Sequence, residues 1–306
     1  MVRSGRTDLR LFVLFPWIFC VTAICRAEIA VIDDTHQRVN IDRPARRIIA
    51  VAPNLAELTY AAGAGQWLIA SVRGTDYPAE AAVLPILGDA AGLDFEQILR
   101  MKPDLVLAWG SGNKPADLDR LTRSGVAVVV MEARTLNDIA RHMRVIGRLA
   151  GTDGEAERAA LRFEKALAQL RARHANACAV DVFVEIWHQP VFTVGASHPL
   201  SDALRVCGAR NALAAYPLLA GPIPLEDVLM ARADAILSVT AGSAEGAQAR
   251  WDGLLPAPGR RPVPVVSITP ELLVRPGPRM LDGLEILCAR LDALRDGVCH
   301  AGRADH

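Results

Sequence analysis

The apolar positions of this chain fall into short unbroken runs separated by amphipathic stretches. In the first half the runs Arg47–Ala52, Leu68–Val72, Asp104–Trp109 and Ala127–Met131 read as strands. In the second half the same is true of Asp181–Ile186, Val191–Val194, Ala235–Val239 and Val263–Ile268. Near-continuous Val, Ile, Leu and Ala, without alternation, is the pattern of strands covered on both faces. Between the runs, apolar residues recur at helical spacing. Asn54 with Glu57 three positions on has the form of a capping box, which predicts a helix through Ala62 closed by Gly63 and Gly65. Pro115–Arg123 predicts a short helix stopped by Gly125, Thr135–Leu149 an amphipathic one ending at Gly151, and Pro199–Val206 another. Pro278–Leu294 predicts a closing helix with proline in its first turn, where a missing N–H costs nothing. The longest is Asp153–His174, with Ala156, Ala159, Ala160, Phe163, Ala166, Leu167 and Leu170 on one face; a helix of this size measures roughly 33 Å.

One unit of this alternation occurs twice. Residues 93–109 read LDFEQILRMKPDLVLAW and residues 223–239 read IPLEDVLMARADAILSV, 130 residues on and with no gap. Glu96 meets Glu226, Leu99 meets Leu229, Asp104 meets Asp234 and Leu107 meets Leu237. Each copy predicts a short helix, a turn and a buried strand, so the chain is expected to form two similar lobes with a cleft between them. The long helix Asp153–His174 is the natural spine, and a helix permits only small relative motion. The expected fold class is therefore α/β: two Rossmann-like lobes with parallel central sheets joined by a single long helix. In both copies the glutamate falls in the first turn of its helix. The helix dipole favours a carboxylate there by ~0.3–1 kcal/mol, which accounts for one glutamate. The same residue at the same register in both lobes points to a pair of docking points for a two-fold partner, which would offer arginines.

Composition narrows the class. The chain has 306 residues, 51% hydrophobic and 22% charged, with zero formal net charge; that is a globular chain large enough for two lobes. No basic face stands out, so no nucleic-acid partner is expected. Arg3, Arg6 and Arg10 precede the apolar run Leu11–Ile24, and Cys25-Arg26-Ala27 follows it. This has the form of an export signal cleaved after Ala27, too short to span a bilayer. Of six cysteines, Cys20 and Cys25 leave with that signal, and Cys178, Cys207, Cys288 and Cys299 stay. An even number in an exported chain argues for disulfides, in any of three connectivities.

The sequence carries no HExxH, GxSxG or GxGxxG, and Gly110-Ser-Gly-Asn-Lys114 lacks the ending of a phosphate loop. The histidines lack metal-ligand spacing, although His188 and His198 flank one strand. No catalytic residue and no metal or cofactor site is expected, and the protein is read as a non-enzyme. Aromatic residues make up only 5% of the chain, which makes their placement informative. Tyr77, Trp109, Trp187 and Phe192 fall at strand ends in both halves, the edge where open α/β sheets bind ligands; together they suit a large, flat, partly apolar ligand. Arg275 and Arg279 lie in Val274-Arg-Pro-Gly-Pro-Arg279, a loop stiffened by proline, with Glu271 four residues before Arg275.

At this point Arg47–Ser71, Asp76-Tyr77-Pro78, the helix and strand carrying Glu96, Leu107-Ala-Trp109, Val206-Cys207-Gly208 and Arg275-Pro-Gly-Pro-Arg279 ahead of Cys288 together resemble the periplasmic cobalamin-binding proteins of ABC importers. The resemblance spans about residues 46–296, the Fe/B12 periplasmic-binding domain. It implies lobes at 28–134 and 177–300 linked by helices in 135–176, and a monomer that holds a corrinoid in the cleft. It also implies that Glu96 and Glu226 dock on arginines of a permease dimer in the inner membrane, which works with an ATPase. Cys207 and Cys288 match a family disulfide, which leaves Cys178 and Cys299 as a pair. The ligand set carried over is Gly74, Tyr77, Trp109, Trp187, Phe192, Glu271 and Arg275. Here the chain departs from the family: Gly74 stands where a well-known member has tyrosine, Ala90 and Ala220 where it has tryptophan, and Glu271 where it has aspartate. Haem or a ferric siderophore is the alternative ligand.

Overall fold

The computed structural model describes residues 28–89, 92–255 and 262–301; the predicted export signal and Ala90 lie outside them. Two four-stranded parallel sheets form the frame. In the first lobe the order is Leu68–Ala70, Ile48–Ala50, Leu105–Trp109, Val128–Met131. In the second it is Ala209–Asn211, Val180–Glu185, Ala235–Ser238, Val265–Ser267. Numbered along the chain, both read second, first, third, fourth, so the lobes are wound alike and the repeated strands occupy the same place. These central strands are buried nearly throughout, as their uninterrupted apolar runs require.

The repeat extends to its turn and its polar residue. Lys102 and Arg232, at equivalent positions, both adopt left-handed backbone, with φ of 46° and 47°. Asp104 then accepts hydrogen bonds from the backbone amides of Arg46 and Arg47 at 2.8 and 3.1 Å. Asp234 accepts one from the amide of Asp181 at 2.8 Å. Each aspartate ties the start of its own strand to the start of the strand beside it, a role that the alignment of the copies does not disclose.

The spine is a helical hairpin. Leu136–Ala150 opens with the capping box of Thr135 and Asp138 and closes on Gly151 in left-handed conformation. Asp153–His174 runs back against it. At their crossing a side chain on Gly147 would collide with Ala156, so glycine sets how closely the helices approach. Arg144 bridges both turns of the pair, bonding Glu157 and Glu164. The returning helix holds the first lobe through Thr152, which donates to the carbonyl of Ala62 at 2.7 Å. It holds the second through Arg171 on Asp202 and His174 on Asp292. One hydrophobic cluster runs from Ile48 and Leu105 through Phe163 and Leu167 to Val182 and Leu237, so both lobes and the spine share a core.

Two features depart from expectation. Asn54 and Glu57 do not form a capping box: the helix Pro53–Ala61 is capped by Ala52 without any side chain, and both residues are buried. Pro278 precedes rather than opens the closing helix, which spans Met280–Ala301. A hairpin of Ile29–Ile32 with Arg38–Ile41 was not apparent in the sequence. It is anchored by Asp34, which meets His142 Nε2 and Arg141 at 2.7 Å each. Burial works against that charge, but hydrogen bonds from His142, Arg141 and the Glu132 amide outweigh it and hold the Asp34 carboxyl far below its usual range.

Candidate functional site

The lobes meet across the carboxyl ends of their strands. From the first lobe come Glu57, on the helix that follows Ile48–Ala50, and Asp76 and Tyr77, in the loop after Leu68–Ala70. From the second come Arg275 and Arg279, between the short helix Pro270–Leu273 and the closing helix. Arg279 grips Glu57 bidentately at 2.6 and 3.1 Å, lies 3.5 Å from Asp76 and stacks over the Tyr77 ring at 4.3 Å. Arg275 bonds Asp76 at 2.6 Å and lies 4.0 Å from Glu57. Glu57 is only 2% exposed. Its burial pushes its pKa up against the pull of the two guanidinium groups, while its hydrogen bonds raise that of Arg279. A Cβ on Gly277 would stand 3.3 Å from the Glu57 carboxylate, so glycine lets this loop close down on it.

Arg275, a ligand contact in the sequence reading, is instead held by two carboxylates of the opposite lobe, which neutralise it. Gly74 lies beside it. There φ is +88°, and an added Cβ would meet Pro53 and Arg275 at ordinary contact distances of 3.6 and 3.9 Å. Backbone conformation, not lack of space, selects glycine here. Glu271 is half-buried in the first turn of Pro270–Leu273.

The aromatic residues divide into held and presented rings. Trp109 is half-buried, packed beneath Gly112, and its indole N–H donates to Glu132 at 3.2 Å. Tyr77 and Trp187 are 46% and 56% exposed. Trp187 pairs with Phe192 across the hairpin that follows Val180–Glu185, and its indole N–H donates to the carbonyl of Gln189 at 3.0 Å, which fixes the ring. Ala220, half-buried, lies in the next strand of that small sheet. Both presented rings thus stand at the carboxyl edges where the lobes oppose each other.

Glu185 ends the central strand of the second lobe and is fully buried. One of its oxygens accepts from Ser238 at 2.7 Å, Arg250 at 2.8 Å and Trp251 at 3.1 Å; the other oxygen is unpartnered, as is Nη1 of Arg250. His188 and His198 play separate roles. His188 stacks on Trp187 at 5.9 Å, whereas Nδ1 of His198 caps the helix Pro199–Val206. Among the described residues no cluster of three or more His, Cys, Asp or Glu is arranged to hold a metal ion.

Glu96 and Glu226 lie outside the cleft, exposed in the first turns of Phe95–Arg100 and Leu225–Met230. Neither caps its helix: the first is capped by Asp94, which accepts the Gln97 amide at 3.0 Å, and the second begins at Pro224 with no side-chain cap. Disulfides join Cys207 to Cys288 and Cys178 to Cys299.

Two parallel sheets wound alike, opposed at their carboxyl edges and joined by a helical spine, define a two-lobed, helix-linked binding protein. A family model described as periplasmic binding protein matches residues 48–259, and the chain belongs to that family. It is 34% identical over 261 residues to a vitamin B12-binding protein of Pectobacterium carotovorum subsp. carotovorum, covering 84% of this chain and 92% of that one. The periplasmic vitamin B12 binding protein of Vibrio cholerae superposes with a TM-score of 0.73 at 30% identity, covering 82% of this chain and 98% of that one. A periplasmic haem-binding protein from Roseiflexus shares the fold, with a TM-score of 0.69 at 22% identity over 82% of this chain and 98% of that one.

Proposed function

We propose that this protein is an exported, non-catalytic receptor that binds cobalamin or a related corrinoid between its lobes and delivers it to an inner-membrane ABC importer. Residues 1–27 act as the export leader, and the binding unit is 46–296, with lobes at 28–134 and 177–300 around the linking helices of 135–176. The observation that carries the ligand assignment is the pair of presented rings, Tyr77 on one lobe and Trp187 on the other, at the edge where the lobes oppose each other. Broad, partly exposed rings suit the flat face of a macrocycle, although one face of Tyr77 already carries the Arg279 guanidinium. Charge favours a corrinoid over an anionic haem or ferric chelate. Arg275 and Arg279 are matched by Glu57 and Asp76, so the cleft offers little unpaired positive charge, whereas the amide rim of cobalamin needs hydrogen bonds more than counter-charge. Glu96 and Glu226 are the docking points for the permease dimer, and the spine keeps their spacing nearly constant on ligand binding.

Titration of residues 28–306 with cyanocobalamin tests this reading. One-to-one binding is expected, weakened about tenfold or more in Trp187→Ala, the cost of an aromatic anchor. Absence of binding to cyanocobalamin, with binding of haem or a ferric hydroxamate instead, would overturn the corrinoid assignment.

A further inference from the structure

We infer that the two docking helices are unequal partners for a two-fold permease, and that Arg100 sets the difference. This rests on the docking reading above and adds to it an ordering of the two contacts.

The repeat makes the comparison direct. Ile98 and Val228 are buried at the same register, so each helix turns the same face to solvent. On that face each presents a glutamate and, one turn on, a leucine: Leu99 is 40% and Leu229 45% exposed. A partner suited to both is a surface repeated by a two-fold axis, each copy carrying a guanidinium beside a small apolar patch. A carboxylate next to a partly exposed leucine complements such a surface in charge and in polarity.

Within these helices the copies differ in charge at two positions, and ahead of them Asp94 caps the first where Pro224 stands in the second. Gln97 of the first helix is matched by Asp227, and Arg100 by Met230. Arg100 bonds Glu96 at 2.7 Å, one turn along the helix. Glu226 has no ion pair among the described residues, and the methionine at the position of Arg100 is 78% exposed. Charges therefore cancel over Phe95–Arg100, while Leu225–Met230 carries two negative charges and no positive one. A guanidinium approaching Glu226 meets an unpaired carboxylate, a second acid at Asp227 and an enlarged apolar rim of Leu229 and Met230. The identical guanidinium approaching Glu96 must displace Arg100 or share its carboxylate, with like charges brought together. The second lobe forms the stronger contact, and Arg100 acts as an internal competitor that weakens the first.

The test is docking affinity to the permease–ATPase complex of its own importer, purified in lipid nanodiscs. Arg100→Met places the second lobe's residue at the matching position of the first, and Met230→Arg does the converse. Both sites are on the surface, and circular dichroism checks that each variant is folded. Arg100→Met is expected to tighten docking about twofold, the strength of an exposed i,i+4 pair, with a gain that shrinks as salt is raised. Met230→Arg should weaken docking, and Glu226→Ala should cost more than Glu96→Ala. Unchanged or weaker docking by Arg100→Met, or equal losses from the two single alanine variants, would overturn the inference while leaving the docking reading intact. Undiminished docking by Glu96→Ala/Glu226→Ala would overturn that reading, and the inference with it.

Discussion

His198 caps a helix with a ring nitrogen, where a hydroxyl or carboxylate is usual. Its Nδ1 accepts the Leu200 amide at 3.1 Å, which requires that nitrogen to be unprotonated. Burial agrees and lowers its pKa to about 4 from 6.5. Because the folded value lies below the unfolded one, the contribution to stability is complete above the unfolded pKa and is lost as pH falls from about 6.5 towards 4. The loss is expected to be on the order of 2 kcal/mol. In His198→Asn, whose amide oxygen caps without titrating, this part of the pH dependence should vanish. Thermal melts of both proteins at pH 7 and pH 4.5 measure it; parallel losses in the two would refute the assignment. Glu57 shows the opposite lesson for reading residues. Three positions after Asn54 it has the spacing of a cap, yet its partner is Arg279, 222 residues along the chain. Spacing identifies a local bond only when no distant group competes, and distant groups are invisible until the chain is folded.

Among elements, the contact of the helix Pro53–Ala61 with the loop before Met280–Ala301 joins the lobes away from the spine, beside that of Asp76 with Arg275. It is a bidentate ion pair around a nearly buried carboxylate, and removing Arg279 leaves Glu57 with only the longer, 4.0 Å contact to Arg275. Arg279→Met is therefore expected to cost about 1.5–3 kcal/mol, the scale of lost hydrogen bonds to a charged group, and Glu57→Gln/Arg279→Met less. Amide exchange would report the place of the damage as well as its size. Protection should fall first in residues 53–61 and around the loop at Arg275. An Arg279→Met protein with wild-type melting and exchange would show that the spine alone holds the lobes together. The spine itself was legible from its length and its apolar stripe, and the helix before it from its stop at Gly151, while the Thr135 cap emerges only in the structure. Its hairpin form was not, because the close approach at Gly147 depends on which residue of the second helix lies opposite.

At the scale of the molecule, two disulfides hold the second lobe to the closing helix. Cys207–Cys288 spans 81 residues and Cys178–Cys299 spans 121, so each is worth about 4–5 kcal/mol in the chain-entropy account. They differ in access. Cys207 and Cys288 are 0% and 2% exposed, while Cys178 is exposed. Mild reduction of the folded protein followed by alkylation should label Cys178 and Cys299 well before the other pair. Simultaneous labelling of all four, read by mass spectrometry, would contradict that order. The connectivity is a property of the whole fold, since four cysteines in sequence admit every pairing.

The sequence by itself determined seven of the eight strands of the two parallel sheets, missing Ala209–Asn211, together with the spine and the two-lobed plan, because burial on both faces and helical spacing are written in short-range pattern. The gapless repeat also placed Glu96 and Glu226 at equivalent points, and the structure shows equal winding and equal turns around them. What only the tertiary structure decided is which charges meet. Glu57 with Arg279, Asp76 with Arg275, Asp34 with His142, and Glu185 with Arg250 are each separated by 65 or more residues. Charged side chains carry no periodic mark of their partners. Their pairing follows from the sheet edges and loops that folding brings together, and it is there that the cleft acquires its neutral character.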